Sequence, residues 1–162
     1  MDHLWSPWRF AYVTGSKPKT GCVFCDAARA SEPDSLMVFE GSGCYVILNR
    51  YPYNNGHVMV VPYRHIDTLA ALRPDELQEL ALLTQRSEIA LREAYGVPAI
   101  NVGINLGQAA GAGIHEHLHV HLVPRWSGDT NFMTTIGNTR VLPEDLLSTV
   151  GRLRPVFGKL AT

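Results

Sequence analysis

Four histidines at alternate positions, His115, His117, His119 and His121, constrain this chain more than any other feature. They lie in the run Gly-Ile-His-Glu-His-Leu-His-Val-His-Leu-Val-Pro-Arg-Trp, which ends at Trp126. Alternation with branched apolar residues predicts a β-strand, and a period of two sets all four imidazoles on one face. A row of buried imidazoles is costly unless each ring is hydrogen-bonded, liganded or chemically used. The strand is therefore expected to carry a site.

The segments around it define the fold class. Leu36 to Glu40 and Cys44 to Asn49 are β-prone runs split by Gly41-Ser42-Gly43, the pattern of a hairpin. Tyr51 to Gly56 is a turn by its residues, and His57 to Pro62 is the next strand. Arg73-Pro74-Asp75-Glu76 opens a helix with an acidic first turn, suited to the helix dipole. Leu77, Leu80, Leu82, Leu83, Ile89, Leu91 and Ala94 give that helix one broad core face, and Gly96-Val97-Pro98 ends it. Ile100 to Leu106 is a further strand, joined to the histidine strand by the small-residue loop Gly107 to Gly113. Leu142-Pro143-Glu144-Asp145 starts a final helix that runs to about Phe157. Strands in succession around one long helix predict an α+β fold with an antiparallel sheet.

At 162 residues the chain fits a single domain, 1–162, long enough for a real core. A net charge of −1 with 18% charged residues offers no basic face for nucleic acid. Apolar runs such as Val58 to Pro62 are too short for a bilayer, and the first residues lack the plan of a signal peptide. A cytoplasmic protein is the simplest expectation. Of three cysteines, Cys22 and Cys25 have the spacing of half a zinc site or of a redox pair, and Cys44 is expected in the core.

The histidine run resembles the signature of the histidine-triad (HIT) superfamily of nucleotidyl hydrolases and transferases. The trailing Leu122-Val123-Pro124-Arg125 matches the residues after the third triad histidine, so the triad is assigned to His117, His119 and His121. His115 is then an extra, at the surface or at the edge of the pocket. The resemblance covers roughly residues 22–131, leaving 132–162 as a tail. It implies an antiparallel sheet of about five strands backed by helices, and a homodimer. It also implies that His119 attacks the α-phosphate of a nucleotide, while His121 bonds a phosphate or leaving oxygen. An imidazole suits that task because it is neutral near pH 7 and can form a phosphoramidate.

Further matches imply the remaining site. Asn49 takes the position that binds the ribose hydroxyls, and His57 that of a histidine bordering the triad. Asn105 falls where an amide contacts the phosphates. Beside it, Gly111, Ala112 and Gly113 leave backbone N–H groups open to an anion. Many HIT proteins carry Gly-Gln-Ser or Gly-Gln-Thr here, so this chain lacks the hydroxyl and relies on its backbone. A subset of bacterial members holds structural zinc through a Cys-x-x-Cys pair, a histidine after the strand that ends in proline, and the first triad histidine. Cys22, Cys25, His65 and His117 fit that set.

Leu4 to Arg9 and Pro124 to Phe132 resemble the branch of phosphorylases that act on diadenosine tetraphosphate, where Trp126 would stack on a base or wall the pocket. The implied activity is cleavage of a dinucleoside polyphosphate, by phosphate or by water. The rivals are hydrolysis of nucleoside phosphoramidates or adenylates, a nucleotide-binding signalling module, and, more distantly, a redox protein built on Cys22 and Cys25.

Overall fold

The computed structural model describes residues 21–30, 35–130 and 144–160. Five strands, β1 (Met37–Glu40), β2 (Cys44–Leu48), β3 (Val58–Pro62), β4 (Ala99–Ile104) and β5 (Val120–Arg125), form one sheet in the order β1-β2-β3-β5-β4. Every neighbouring pair is antiparallel. Among the described residues three helices accompany it: α1 (Val23–Ala28), α2 (Pro74–Tyr95) and α3 (Leu146–Leu160). This is the expected α+β class. No helix among the described residues is long and apolar enough to cross a membrane.

The period of two sorts the central strands into two faces. Cys44, Val46 and Leu48 of β2, Val58 and Val60 of β3, and Val120 and Leu122 of β5 join a core with α2 and α3. The intervening residues Tyr45, Ile47, Met59 and Val61 build a second core with Met37 and Phe24. His121 alternates with the helix-side residues, so it belongs to this second face, opposite Met59 on one side and Gly103 on the other.

The hairpin and the long helix follow their sequence signals. The turn between β1 and β2 is held by Glu79, whose carboxylate accepts the N–H groups of Ser42 at 2.7 Å, of Cys44 at 2.8 Å and of Gly43. A Cβ on Gly41 would lie 2.5 Å from Glu79 Oε1, so only glycine fits there. Helix α2 has Pro74 in its first turn and ends at Gly96 in the left-handed region, φ 58°. Its buried face is Glu76, Leu80, Leu83, Ser87, Ala90 and Leu91. Leu77, Leu82 and Ile89, expected in the core, are exposed instead, because they lie off that stripe.

Two further expectations need correction. The histidine run is not one strand, since β5 begins at Val120 and residues 114–119 are irregular. His115 is consequently exposed, while His117 and His119 are buried. Helix α1, of six residues, was not foreseen, because less than two turns give no readable periodicity. The Leu4–Arg9 segment, Asn131, Phe132 and the expected helix start at Leu142 and Pro143 lie outside the described residues.

Glu76 joins α2 to the loop after β3. Its buried carboxylate accepts from Arg64 Nε at 3.0 Å and from the Arg73 backbone N–H at 2.9 Å. These bonds hold its pKa down to about 2, below the ordinary 4.5. The depressed value means that the stabilisation is present above pH 4.5 and is lost as pH falls toward 2. Glu76→Gln should therefore lower stability at neutral pH by about 2 kcal/mol in denaturant titrations. The gap to the unmodified protein should close between those two pH values.

Candidate active site and metal centre

Two groups of side chains meet on the second face of the sheet. The first is Cys22, Cys25, His65 and His117, whose ligand atoms all lie within 4.8 Å of one another. Cys22 comes just before α1 and Cys25 from its first turn, His65 from the loop after β3, and His117 from the irregular approach to β5. His117 Nδ1 is 3.2 Å from Cys22 Sγ and 3.6 Å from Cys25 Sγ, and His65 Nδ1 is 3.5 Å from Cys25 Sγ. Zinc bond lengths of about 2.0–2.3 Å give a tetrahedron with edges of roughly 3.3–3.8 Å, close to these separations.

The proton on His117 is placed for the same purpose. Its Nε2 lies 2.9 Å from the Pro62 carbonyl, which can only accept, so the proton sits on Nε2. The Nδ1 lone pair then faces the sulfurs, as a ligand must. Burial also pushes its pKa below the ordinary value, which favours the neutral ring. The residues fit a closed zinc site, and His117 is turned toward the cysteines rather than toward the two histidines that follow it.

The second group is His119, His121 and His57. His119 Nδ1 is 2.8 Å from the His117 carbonyl, so it carries the proton and leaves Nε2 with its lone pair. Burial lowers the pKa of His119, although the bond to that carbonyl works in the opposite direction. His57, 1% exposed, accepts the Tyr53 backbone N–H at Nδ1, 3.1 Å away. A nitrogen that accepts from an amide has no proton, so His57 is held neutral with its proton on Nε2. That proton is donated to His121 Nδ1, 3.0 Å away. His121 in turn keeps its own proton on Nε2. Adjacent triad histidines thus present opposite Nε2 atoms, a lone pair on His119 and an N–H on His121. The two rings are edge to face, with centroids 4.7 Å apart.

The other site residues are placed variously. Asn49, directly after β2, accepts the Tyr51 N–H at Oδ1, 2.9 Å away, which turns the chain there. His57 packs behind His121 instead of opening to the pocket. Asn105, half-buried, follows β4. In the small-residue loop, Gln108–Ala110 forms a 3₁₀ turn in which the Gly111 N–H bonds the Gln108 carbonyl at 3.0 Å. That donor is engaged within the turn, while Ala112 is buried and Gly113 exposed. Trp126 is not brought to the histidines. It packs on the helix side, edge-on to Tyr95 at 6.4 Å, because it continues the parity of Leu122 and Pro124. His57 does border the triad, as the resemblance implied, but its hydrogen bond to His121 was not foreseen, since a contact across 64 residues leaves no local sequence signal.

Fold and site together describe a histidine-lined sheet face suited to phosphorus chemistry, and comparison with known proteins places it. The HIT domain model matches residues 30–128, and the chain belongs to this family of nucleotide hydrolases and transferases. It is 40% identical to the AP-4-A phosphorylase of Mycobacterium tuberculosis over 157 residues, covering 92% of this chain and 80% of that protein. A zinc-bound histidine triad family protein from Mycobacterium smegmatis superposes with a TM-score of 0.69 at 27% identity, covering 87% of this chain and 96% of that one. A hypothetical histidine triad nucleotide-binding protein from Sulfolobus tokodaii gives 0.70 at 27% identity, covering 86% and 93%.

The thiols offer a direct check of this geometry. Cys44 is fully buried, and burial pushes its pKa up to about 12, whereas Cys22 and Cys25 are partly exposed. In native, chelator-treated protein two thiols should react with an aromatic disulfide reagent, and the third only after denaturation. Zinc should slow both reactive thiols together. Reaction of all three in the native state would contradict the placement.

Proposed function

We propose that the protein cleaves a dinucleoside polyphosphate, with diadenosine tetraphosphate as its preferred substrate, through a nucleotidyl-His119 intermediate. The observation that carries this reading is the contrasting contacts of the two Nδ1 atoms, His119 on the His117 carbonyl and His121 on His57 Nε2, which imply opposed protons on the two Nε2 atoms. His119 Nε2 attacks the α-phosphorus, a P–N bond forms, and the P–O bond to the departing nucleotide breaks. Positive charge that develops on the ring is shared through Nδ1–H with the His117 carbonyl. The departing oxygen receives a hydrogen bond from His121 Nε2–H, fixed by His57. An acceptor oxygen then attacks phosphorus, the P–N bond breaks, and the electron pair returns to Nε2. Asn49 and Asn105 are assigned to ribose and phosphate, with the N–H groups of Ala112 and Gly113 as further donors.

Zinc in the Cys22, Cys25, His65 and His117 set would fix the segment before β1 to the rest of the fold, a structural role. The fit of the four donors and the likeness to a zinc-bound relative support it. The preferred acceptor is phosphate, a reading that the 40% identical AP-4-A phosphorylase supports. Trp126, expected to mark that branch by lining the pocket, gives it no support from its position.

A homodimer is part of the same reading. Among the described residues strand β4 pairs with β5 along one edge only, and it exposes Val102 at 53%. Leu69 and Leu77 line the apolar groove beside it. A second copy pairing about a two-fold axis would cover this edge. Sedimentation should give a dimer for the unmodified protein and a monomer for Val102→Glu, and a monomeric unmodified protein would refute the arrangement.

Product analysis tests the chemistry. Phosphorolysis of diadenosine tetraphosphate gives ADP and ATP, and hydrolysis gives AMP and ATP. In phosphate buffer ADP should dominate, and AMP that is insensitive to added phosphate would overturn phosphate as the acceptor. His119→Ala should lower turnover by at least about 1,000-fold, because no other group can form the covalent bond. His115→Ala should keep most activity.

A further inference from the structure

The face that bears the reactive histidines is covered by the short segment around α1. Phe24, Val23, Ala27 and Ala28 pack on Met37, Tyr45, Ile47, Met59 and Val61. Helix α1 has only six residues and no side-chain cap at its start, so it is not stable by itself. Polar contacts add to this packing. Tyr45 donates its hydroxyl to the Phe24 carbonyl at 2.8 Å, and Cys22 and Cys25 sit against His117 Nδ1. Between those cysteines in sequence stands Phe24, 3% exposed. Its ring centroid is 4.8 Å from that of His119 and 5.4 Å from that of His117.

We propose that Phe24 is a positioning residue, a wedge that holds the His119 ring in the plane where its Nδ1–H meets the His117 carbonyl, and that the Cys/His clip influences turnover through this wedge. The inference rests on the reading of His119 as nucleophile. His119 is confined by His121 edge to face at 4.7 Å and by Phe24 tilted at 43°. Removing the Phe24 ring opens space for the imidazole to rotate. The bond from Nδ1–H to the His117 carbonyl then lengthens, and the proton is no longer confined to Nδ1. Nothing in this role requires Phe24 to touch the substrate. The effect therefore falls on kcat and not on KM.

The test uses full-length, zinc-loaded Phe24→Ala and Phe24→Leu beside His119→Ala, with diadenosine tetraphosphate as the probe. Phe24→Ala should keep its zinc, lose about 10- to 100-fold in kcat and hold KM within about twofold. Phe24→Leu, which restores most of the volume, should recover most of the loss. Long-range 1H–15N spectra at one fixed pH should show a single Nδ1–H tautomer for His119 in the unmodified protein and a mixture in Phe24→Ala. Removing zinc should lower kcat of the unmodified protein but add little to the loss in Phe24→Ala, the non-additivity of two changes acting through one side chain. Zinc-replete Phe24→Ala with unaltered kcat and one tautomer would overturn the wedge, as would a change in KM alone. If Phe24→Ala does not fold, Phe24→Leu and Phe24→Val decide: a kcat that falls from Phe to Leu to Val supports the wedge, and equal kcat overturns it. Turnover surviving in His119→Ala would instead overturn the nucleophile itself.

Discussion

The central strands of this sheet are buried on both faces, and each face needs cover. Helices α2 and α3 pack on one, where aliphatic side chains of four strands meet Leu80, Leu83, Leu153 and Phe157. Burial of this kind contributes about 25 cal/mol per Å², and it fixes strand register, because a slip of one residue would exchange the faces. The register that puts Val120 and Leu122 among the helices also turns His121 to the other side. Placement of the site is thus a consequence of core packing.

The opposite face is polar where the histidines stand and apolar elsewhere, and its proton arrangement depends on backbone groups. The Pro62 carbonyl sets His117, the His117 carbonyl sets His119, and the Tyr53 amide sets His57 and through it His121. The Tyr53 amide must itself be held. It lies in the 51–56 turn, where Asn54 donates from Nδ2 to the Pro124 carbonyl at 3.1 Å and to Asp129 at 3.0 Å. Asp129 is in turn locked to Arg125, whose guanidinium holds the carboxyl down to about 2. A surface ion pair thus steadies the turn whose amide decides where the His121 proton resides.

Much of this was legible in the sequence, and the failures have particular causes. The glycine-split hairpin, the capped long helix and the strand before Pro62 follow local rules and lie within a residue or two of expectation. The alternating histidines located the histidine-bearing face but overstated its regularity, because the Leu118 amide bonds the Ile66 carbonyl in the loop after β3. Period-two reasoning assumes a neighbouring strand, and among the described residues none pairs there. Cys22, Cys25, His65 and His117 do converge, as the resemblance implied. Trp126 stands on the helix side, beside Tyr95, because a short motif names a residue without fixing the parity of the strand before it. The buried carboxylate of Glu76 was invisible for a different reason: its partners come from the loop after β3 and from a backbone N–H.

The hydrogen-bond partners of His119 and His121 suit the proposed polyphosphate substrate. A histidine nucleophile is often oriented by a carboxylate, which raises its basicity and adds a negative charge beside the reacting centre. Here Nδ1 of His119 meets a neutral carbonyl, and Nδ1 of His121 meets a neutral imidazole. Orientation is obtained without that charge, so in the proposed reaction an incoming phosphate chain would not be repelled by the group that aims His119. The same choice leaves burial as the dominant influence on His119, keeping its pKa low and its Nε2 lone pair available at neutral pH. A neutral orienting partner stabilises the imidazolium character that develops on attack less than a carboxylate would. In the proposed mechanism the nucleotidyl-His119 intermediate would then be a better donor of its nucleotidyl group, which would favour the second step of the transfer.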